Sequence, residues 1–141
     1  QIFITYALFS QLENEDQLAG VLGHEIGHVI GRHSAERIAE TEFWQGMATA
    51  GSVGADVGGI VQQFGQGKLL KNGRGDELES DDLGVLFMIN SGYNPEEMVG
   101  VMEILKKAAG PNRIPEFQST HPDPDNRIEK IREAIRKHSE N

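Results

Sequence analysis

The chain has no cysteine, only 5 prolines and 6% aromatic residues in its 141 positions. Without cysteine it can form no disulfide and offers no thiolate to a metal, so any metal falls to His, Asp or Glu. Basic side chains are also scarce. There are 13 against 22 acidic ones, and the formal net charge is −9. Binding phosphates needs concentrated Lys and Arg, so this balance argues against a nucleic-acid partner. Long apolar runs are missing too. Crossing a bilayer takes about 20 apolar residues, and the nearest candidate, the Gly/Ala/Val-rich run Gly46 to Val61, is shorter and contains Asp56. That run reads as a segment packed on neighbouring helices, with a membrane-leaning or oligomerising patch as the alternative. The length suits a single domain over 1–141 with one core. The chain opens directly in the β-prone run Ile2-Phe3-Ile4-Thr5-Tyr6, and this reading places further sequence, with any targeting signal, before Gln1.

What is present is mostly helical patterning. Residues 2–9 are rich in β-branched and aromatic side chains, which predicts a strand. Asn14 then offers an N-cap, with Glu15 and Asp16 in the first turn and Gln17 at the capping-box position. Leu18, Val21, Leu22, Ile26, Val29 and Ile30 follow at helical spacing, predicting a helix from about 15 into the thirties. The pattern allows it to continue through Phe43-Trp44. The glycine-rich stretch 46–75 predicts a short apolar helix or hairpin followed by a mobile loop. A second helix is expected over 76–91, stopped by Gly92. Asn94-Pro95-Glu96-Glu97 predicts a third helix start, with an end near Gly110-Pro111. After a Pro-rich loop over 111–123, Asp123-Pro124 starts a last amphipathic helix with Ile128, Ile131 and Ile135 on one face. The outline is mainly α, with at least one strand at the start.

The chemistry concentrates in His24-Glu25-Ile26-Gly27-His28. Two histidines four residues apart on a helix project from one face about a turn apart, close enough for both imidazoles to reach one zinc at about 2.0–2.1 Å. Glu25 is rotated about 100° from His24, out of reach of the same ion but able to take a proton from the attacking water. A catalytic zinc needs three protein ligands. His33, five residues on, lacks the spacing of a known third-ligand pattern and would point away from the pair if the helix continues. It reads as a capping or packing residue. The better candidates are Glu77 and Asp81, which share a helix face. One can bind the metal and the other can orient a ligand histidine, although an acidic helix start is also what the helix dipole favours. His121 reads, by itself, as an exposed histidine in a Pro-rich loop.

Three blocks, taken together, resemble the zinc peptidase family that includes HtpX and the CAAX prenyl protease, His-Glu-x-x-His gluzincins. The first runs from Asn14 through His28 to His33. The second is Arg74-x-x-Glu77-x-x-x-Asp81-x-x-Gly84, followed by Gly92-Tyr93-Asn94-Pro95. The third is Ser119-Thr120-His121-Pro122 with Arg127-Ile128. The chain departs from the pattern at Gly73, where relatives often carry Ser. The resemblance implies a zincin-like α+β metallopeptidase domain whose small N-terminal sheet is truncated, the substrate-pairing edge strand lying before Gln1. It implies His24, His28 and Glu77 as ligands of one zinc, Glu25 as general base and Asp81 as a partner orienting a ligand. His121 would be a resting-state ligand or oxyanion stabiliser, with Arg127 and Arg74 in supporting roles. It also implies an endopeptidase acting on extended or misfolded protein chains, similar to the soluble bacterial periplasmic or membrane-associated members. A different class remains open: a zinc-containing chaperone or scaffold whose site His121 closes. A phosphate loop at Gly65-Gln66-Gly67-Lys68 lacks the P-loop spacing, and the adhesion-like Arg74-Gly75-Asp76 falls inside the ligand block.

Overall fold

A computed structural model describes residues 1–53, 57–109, 121 and 126–140. Among the described residues six helices follow in chain order: α1 (Tyr6–Phe9), α2 (Glu15–Ile30), α3 (His33–Gly51), α4 (Gly58–Asn90), α5 (Glu97–Ala109) and α6 (Arg127–Ser139). Among the described residues there is no strand, so the fold is mainly α, as the patterning indicated. The strand expected over 2–9 is therefore corrected: Tyr6–Phe9 form one helical turn, capped by Thr5, whose hydroxyl accepts from Leu8 N at 3.3 Å. β-branched residues favour a strand only where a neighbouring strand offers a pleated surface. Here Leu8 instead packs into a small core with Val21, Val101 and Leu105.

α2 starts where its capping signals put it. The Asn14 side chain accepts from Gln17 N at 2.8 Å, and the Gln17 side chain accepts from Glu13 N at 2.8 Å, which satisfies backbone donors that the first turn leaves unpaired. The continuation into one long helix does not occur. The chain breaks at Gly31-Arg32, with Arg32 in the left-handed region (φ 59°), and α3 starts afresh at His33. The loop expected within 46–75 is also corrected, because α3 runs to Gly51 and α4 already begins at Gly58. Glycine costs a helix about 1 kcal/mol each, but here it lets two helices touch. A Cβ on Gly65 would lie 2.7 Å from Trp44 Cγ, so the indole sits flat on the α4 backbone. α4 then stops as expected, with Gly92 left-handed (φ 79°) and Tyr93 N returning to Met88 O at 2.9 Å, a glycine-terminated C-cap. The expected start of the last helix at Asp123-Pro124 lies outside the described residues.

The main core joins the second half of α4 to α5 and α6 through Val85, Met88, Met98, Val99, Ile131, Ala134 and Ile135. Against it α2 lies unusually close to α4. Gly20, Gly23 and Gly27 form one stripe of α2, and a Cβ on Gly23 would come 3.2 Å from the Gly84 backbone. At Gly27 the margin vanishes: a Cβ would sit 2.8 Å from Ser80 Cα and 2.9 Å from Ser80 O. Those are backbone atoms and cannot swing away. This contact sets the separation at which side chains of α2 and α4 meet.

A substitution pair tests this. Gly27→Ala gains up to about 1 kcal/mol of helix propensity but forces α2 off α4, and overpacking costs about 1–3 kcal/mol, so the variant should be less stable and bind metal poorly. Gly46→Ala, on an open face with nothing within 4 Å, should gain the propensity alone. Urea unfolding of both variants reads the difference. Equal stabilisation would show that the close approach is not tight.

Candidate metal centre

α2 carries His24 and His28 to a single point, and α4 brings Glu77 and Asp81 to the same place because Gly23, Gly27, Ser80 and Gly84 let the helices meet. The His24 Nε2 and His28 Nε2 atoms are 3.0 Å apart. His121 joins them, its Nδ1 lying 3.3 Å from His24 Nε2 and 3.2 Å from His28 Nε2. The Glu77 carboxylate caps this triangle. Its Oε1 is 3.1 Å from His121 Nδ1 and 3.3 Å from His28 Nε2, and its Oε2 is 3.3 Å from His24 Nε2.

These separations match the edges, about 3.3 Å, of a tetrahedron whose corners stand about 2.0 Å from its centre, the bond length of nitrogen and oxygen ligands to a metal ion. The tautomers agree. His24 Nδ1 donates to Asp81 Oδ1 at 2.8 Å, which leaves a lone pair on Nε2 aimed at the centre. Ring nitrogens converging with lone pairs inward repel one another unless a cation lies between them. Glu77 Oε2 adds to this: it is buried, and His24 Nε2 and Arg127 Nη1, each 3.3 Å away, stand beside it without forming a hydrogen bond. The donors therefore fit a metal.

Asp81 stands behind His24 and is itself gripped by Arg127, the first residue of α6, whose Nε donates to Oδ2 at 2.7 Å and Nη2 to Oδ1 at 2.9 Å. Arg127 Nη1 also lies 3.3 Å from Glu77 Oε2. Burial pushes the pKa of Asp81 up, but hydrogen bonding to His24 and the Arg127 guanidinium more than reverse this and hold it below the usual carboxylate range. Glu77 behaves alike: burial opposes ionisation, and the rings of His121, His24 and His28 overcome it. Burial lowers the pKa of His24, whereas hydrogen bonds to Asp81 and Glu77 raise it further, so the net shift is upward. The whole cluster favours positive charge at its centre.

Glu25 stays outside the four-donor group, as its position on the helix predicts, with Oε1 3.5 Å from His121 Nε2. It lines a cleft of about 270 Å³ together with His28, His33, Ser34, Arg37, Asp76, Glu77 and His121. Arg74 is exposed and does not line that cleft. A larger cavity, about 610 Å³, opens between α3 and α4 near Trp44, but none of its described lining residues is ionisable. The chemistry is in the smaller one.

The sequence model of peptidase family M48 matches residues 1–135. The chain belongs to peptidase family M48. Among the relatives of this M48 chain, the mitochondrial metalloendopeptidase OMA1 of Schizosaccharomyces pombe is 32% identical over 138 residues, covering 96% of the chain and 41% of that protein. The β-barrel assembly-enhancing protease of Yersinia pestis is 34% identical over 143 residues, covering 89% and 29%. The metalloprotease YcaL of Escherichia coli is 28% identical over 139 residues, covering 92% and 53%. The chain thus spans less than half the length of the first two. No solved structure matches it.

On a continuous helix His33 would point away from the histidine pair; the helix does not continue, and its Nδ1 lies 2.9 Å from His28 Nδ1. The break at Gly31-Arg32 turns it back. A left-handed Arg is not legible in sequence, and only the short interval from Gly31 to a second His hinted at it.

Proposed function

We propose that this M48 chain is a zinc-dependent endopeptidase in which His24, His28 and Glu77 hold the metal and Glu25 is the general base. The observation that carries the reading is the tetrahedral convergence of three imidazoles and one buried carboxylate beside a free-standing Glu25. With no thiolate available, an N- and O-donor set of this geometry suits zinc. Such an ion supplies Lewis acidity, polarising the scissile carbonyl and making a water reactive near neutral pH. Glu25, placed at the cleft, accepts the proton of that water and returns it to the leaving amine. Asp81 holds the His24 ring with its Nε2 lone pair facing inward, and Arg127 holds Asp81. When substrate enters, His121 swings from the donor group and its ring N–H stabilises the developing oxyanion, a role worth about 3–4 kcal/mol in other hydrolases.

A specific observation favours a second reading. His121 Nδ1 already occupies the fourth corner of the donor group, and a closed tetrahedral site does not activate water. A chaperone or scaffold with a self-inhibited site would keep this arrangement permanently. For substrates, extended or misfolded protein chains are the class we infer, and for setting the bacterial periplasm or a membrane-associated place; the relatives' names speak of mitochondria and of β-barrel assembly. Among the described residues, no helix is long and apolar enough to cross a membrane.

Metal content measured alongside casein hydrolysis tests the assignment. The protein should carry about one zinc per chain. His28→Ala should lose the metal and the activity together. Activity that survives chelation, or a His28→Ala variant that keeps both, overturns the site.

A further inference from the structure

The helix break behind the donor group has a chemical use. His33 is 5% exposed, and its ring lies edge-on to that of His28 with centroids 5.0 Å apart. Its Nδ1 faces His28 Nδ1 at 2.9 Å, the atom on the opposite side of the ring from the nitrogen that faces the donor group. Two neutral imidazole nitrogens at this distance share one proton, and its position decides which His28 nitrogen keeps a lone pair. The far side of His33 favours one direction. Its Nε2 lies 3.5 Å from Glu79 Oε2, and an N–H is favoured against a carboxylate where a lone pair would be repelled. His33 Nδ1 is then the acceptor, His28 Nδ1–H the donor, and His28 Nε2 presents a lone pair inward.

The backbone is shaped for this contact. A Cβ on Gly31 would run into the His33 ring, 2.6 Å from Cε1, so glycine there leaves the space the ring fills. Arg32 holds a left-handed conformation (φ 59°) that a residue with a Cβ adopts only at a cost. Ser80, fully buried on α4, stands at the same nitrogen, its Oγ 3.2 Å from Nδ1, a longer contact than the 2.9 Å from His28 Nδ1 that takes the one lone pair there. Strain, a missing Cβ and a buried hydroxyl all serve one ring.

We propose that His33 is a positioning residue for His28, accepting its Nδ1–H and thereby presenting Nε2 to the metal as Asp81 does for His24. The proposal rests on the zinc-peptidase reading, and it replaces the packing role given to His33 from sequence. A neutral acceptor on His28 and an anionic one on His24 make the two ligand rings inequivalent, with His24 the more strongly donating.

Zinc affinity by competition with a chelating indicator provides one test. His33→Phe keeps an aromatic ring but no acceptor, and affinity should fall about 10–100-fold, the usual cost of losing a partner behind a ligand. His33→Asn puts a carbonyl oxygen where Nδ1 was, and should recover most of that loss. A packing role would instead make Phe the milder change. Nitrogen-15 NMR of the unmodified protein is the second test and does not depend on any variant folding. A coupling across the hydrogen bond between the two Nδ1 atoms, with His33 protonated on Nε2, is expected with zinc bound, and without metal at alkaline pH. His33 protonated on Nδ1, no such coupling, or a Phe variant that binds zinc as well as Asn does, overturns the proposal. If the unmodified protein takes up no zinc, the peptidase reading fails instead, and the coupling without metal still decides the role of His33.

Discussion

Glu25→Gln is expected to leave zinc content unchanged and to lower the rate of peptide hydrolysis by at least about 10²–10⁴-fold, the range that a positioned acid–base group contributes. The separation of the two readouts is what the geometry demands. Glu25 lies outside the four-donor group, so removing its charge leaves the metal held. Its carboxylate is part exposed at the cleft, where water and a peptide can approach, and Gln keeps its size while losing its ability to take a proton. Turnover by wild type and variant at matched metal loading measures the effect. A variant that cleaves casein as fast as the parent sinks the assignment of Glu25 as general base.

Arg127→Met should cost about 3–5 kcal/mol of stability in the metal-free protein, the usual result of stripping the partner from a buried charge. Asp81 and Glu77 are 1% and 2% exposed, and Arg127 is the guanidinium that touches both. Met fills similar space, so the loss reports charge rather than volume. The pH dependence has a definite sign. Asp81 in the folded protein titrates below its ordinary value of 3.8, so its stabilisation is complete above that value and fades as pH falls through the depressed one. The penalty of the substitution is therefore largest near neutral pH and shrinks in acid. Denaturant unfolding at neutral and acid pH checks both size and direction, and a penalty that grows on acidification would remove Asp81 from the explanation. Bound zinc should offset part of the loss, because it holds His24 and Glu77 from the other side.

Much of this site was legible in the sequence because helical spacing is a geometric code. His24, Glu25 and His28 could be placed on their helix from periodicity and a cap, and Glu77 with Asp81 from a shared face. His121 and Arg127 had no local signal. They enter through chain that folds back over 97 and 103 residues onto His24, and only family resemblance pointed to them. The failures have physical causes. Residues 2–9 have strand-forming side chains but no described strand to pair with. Glycines in 46–75 looked like loop punctuation and are contact surface under Trp44. His33 depended on one backbone torsion at Arg32, which side-chain patterning does not encode. M48 membership was reachable from motifs, whereas the inequivalence of the two ligand histidines was not.

The distances along the chain also bear on how the protein comes into being. Asp81 follows His24 by 57 residues, and Arg127 follows Asp81 by a further 46. Closing such long loops is slow relative to forming a helix. A growing chain thus has its two histidines long before it has the cation that steadies the carboxylate behind them. The four-donor group therefore lacks the support behind His24 until the segment carrying Arg127 has emerged, so over that stretch of synthesis the polypeptide is protected from its own chemistry.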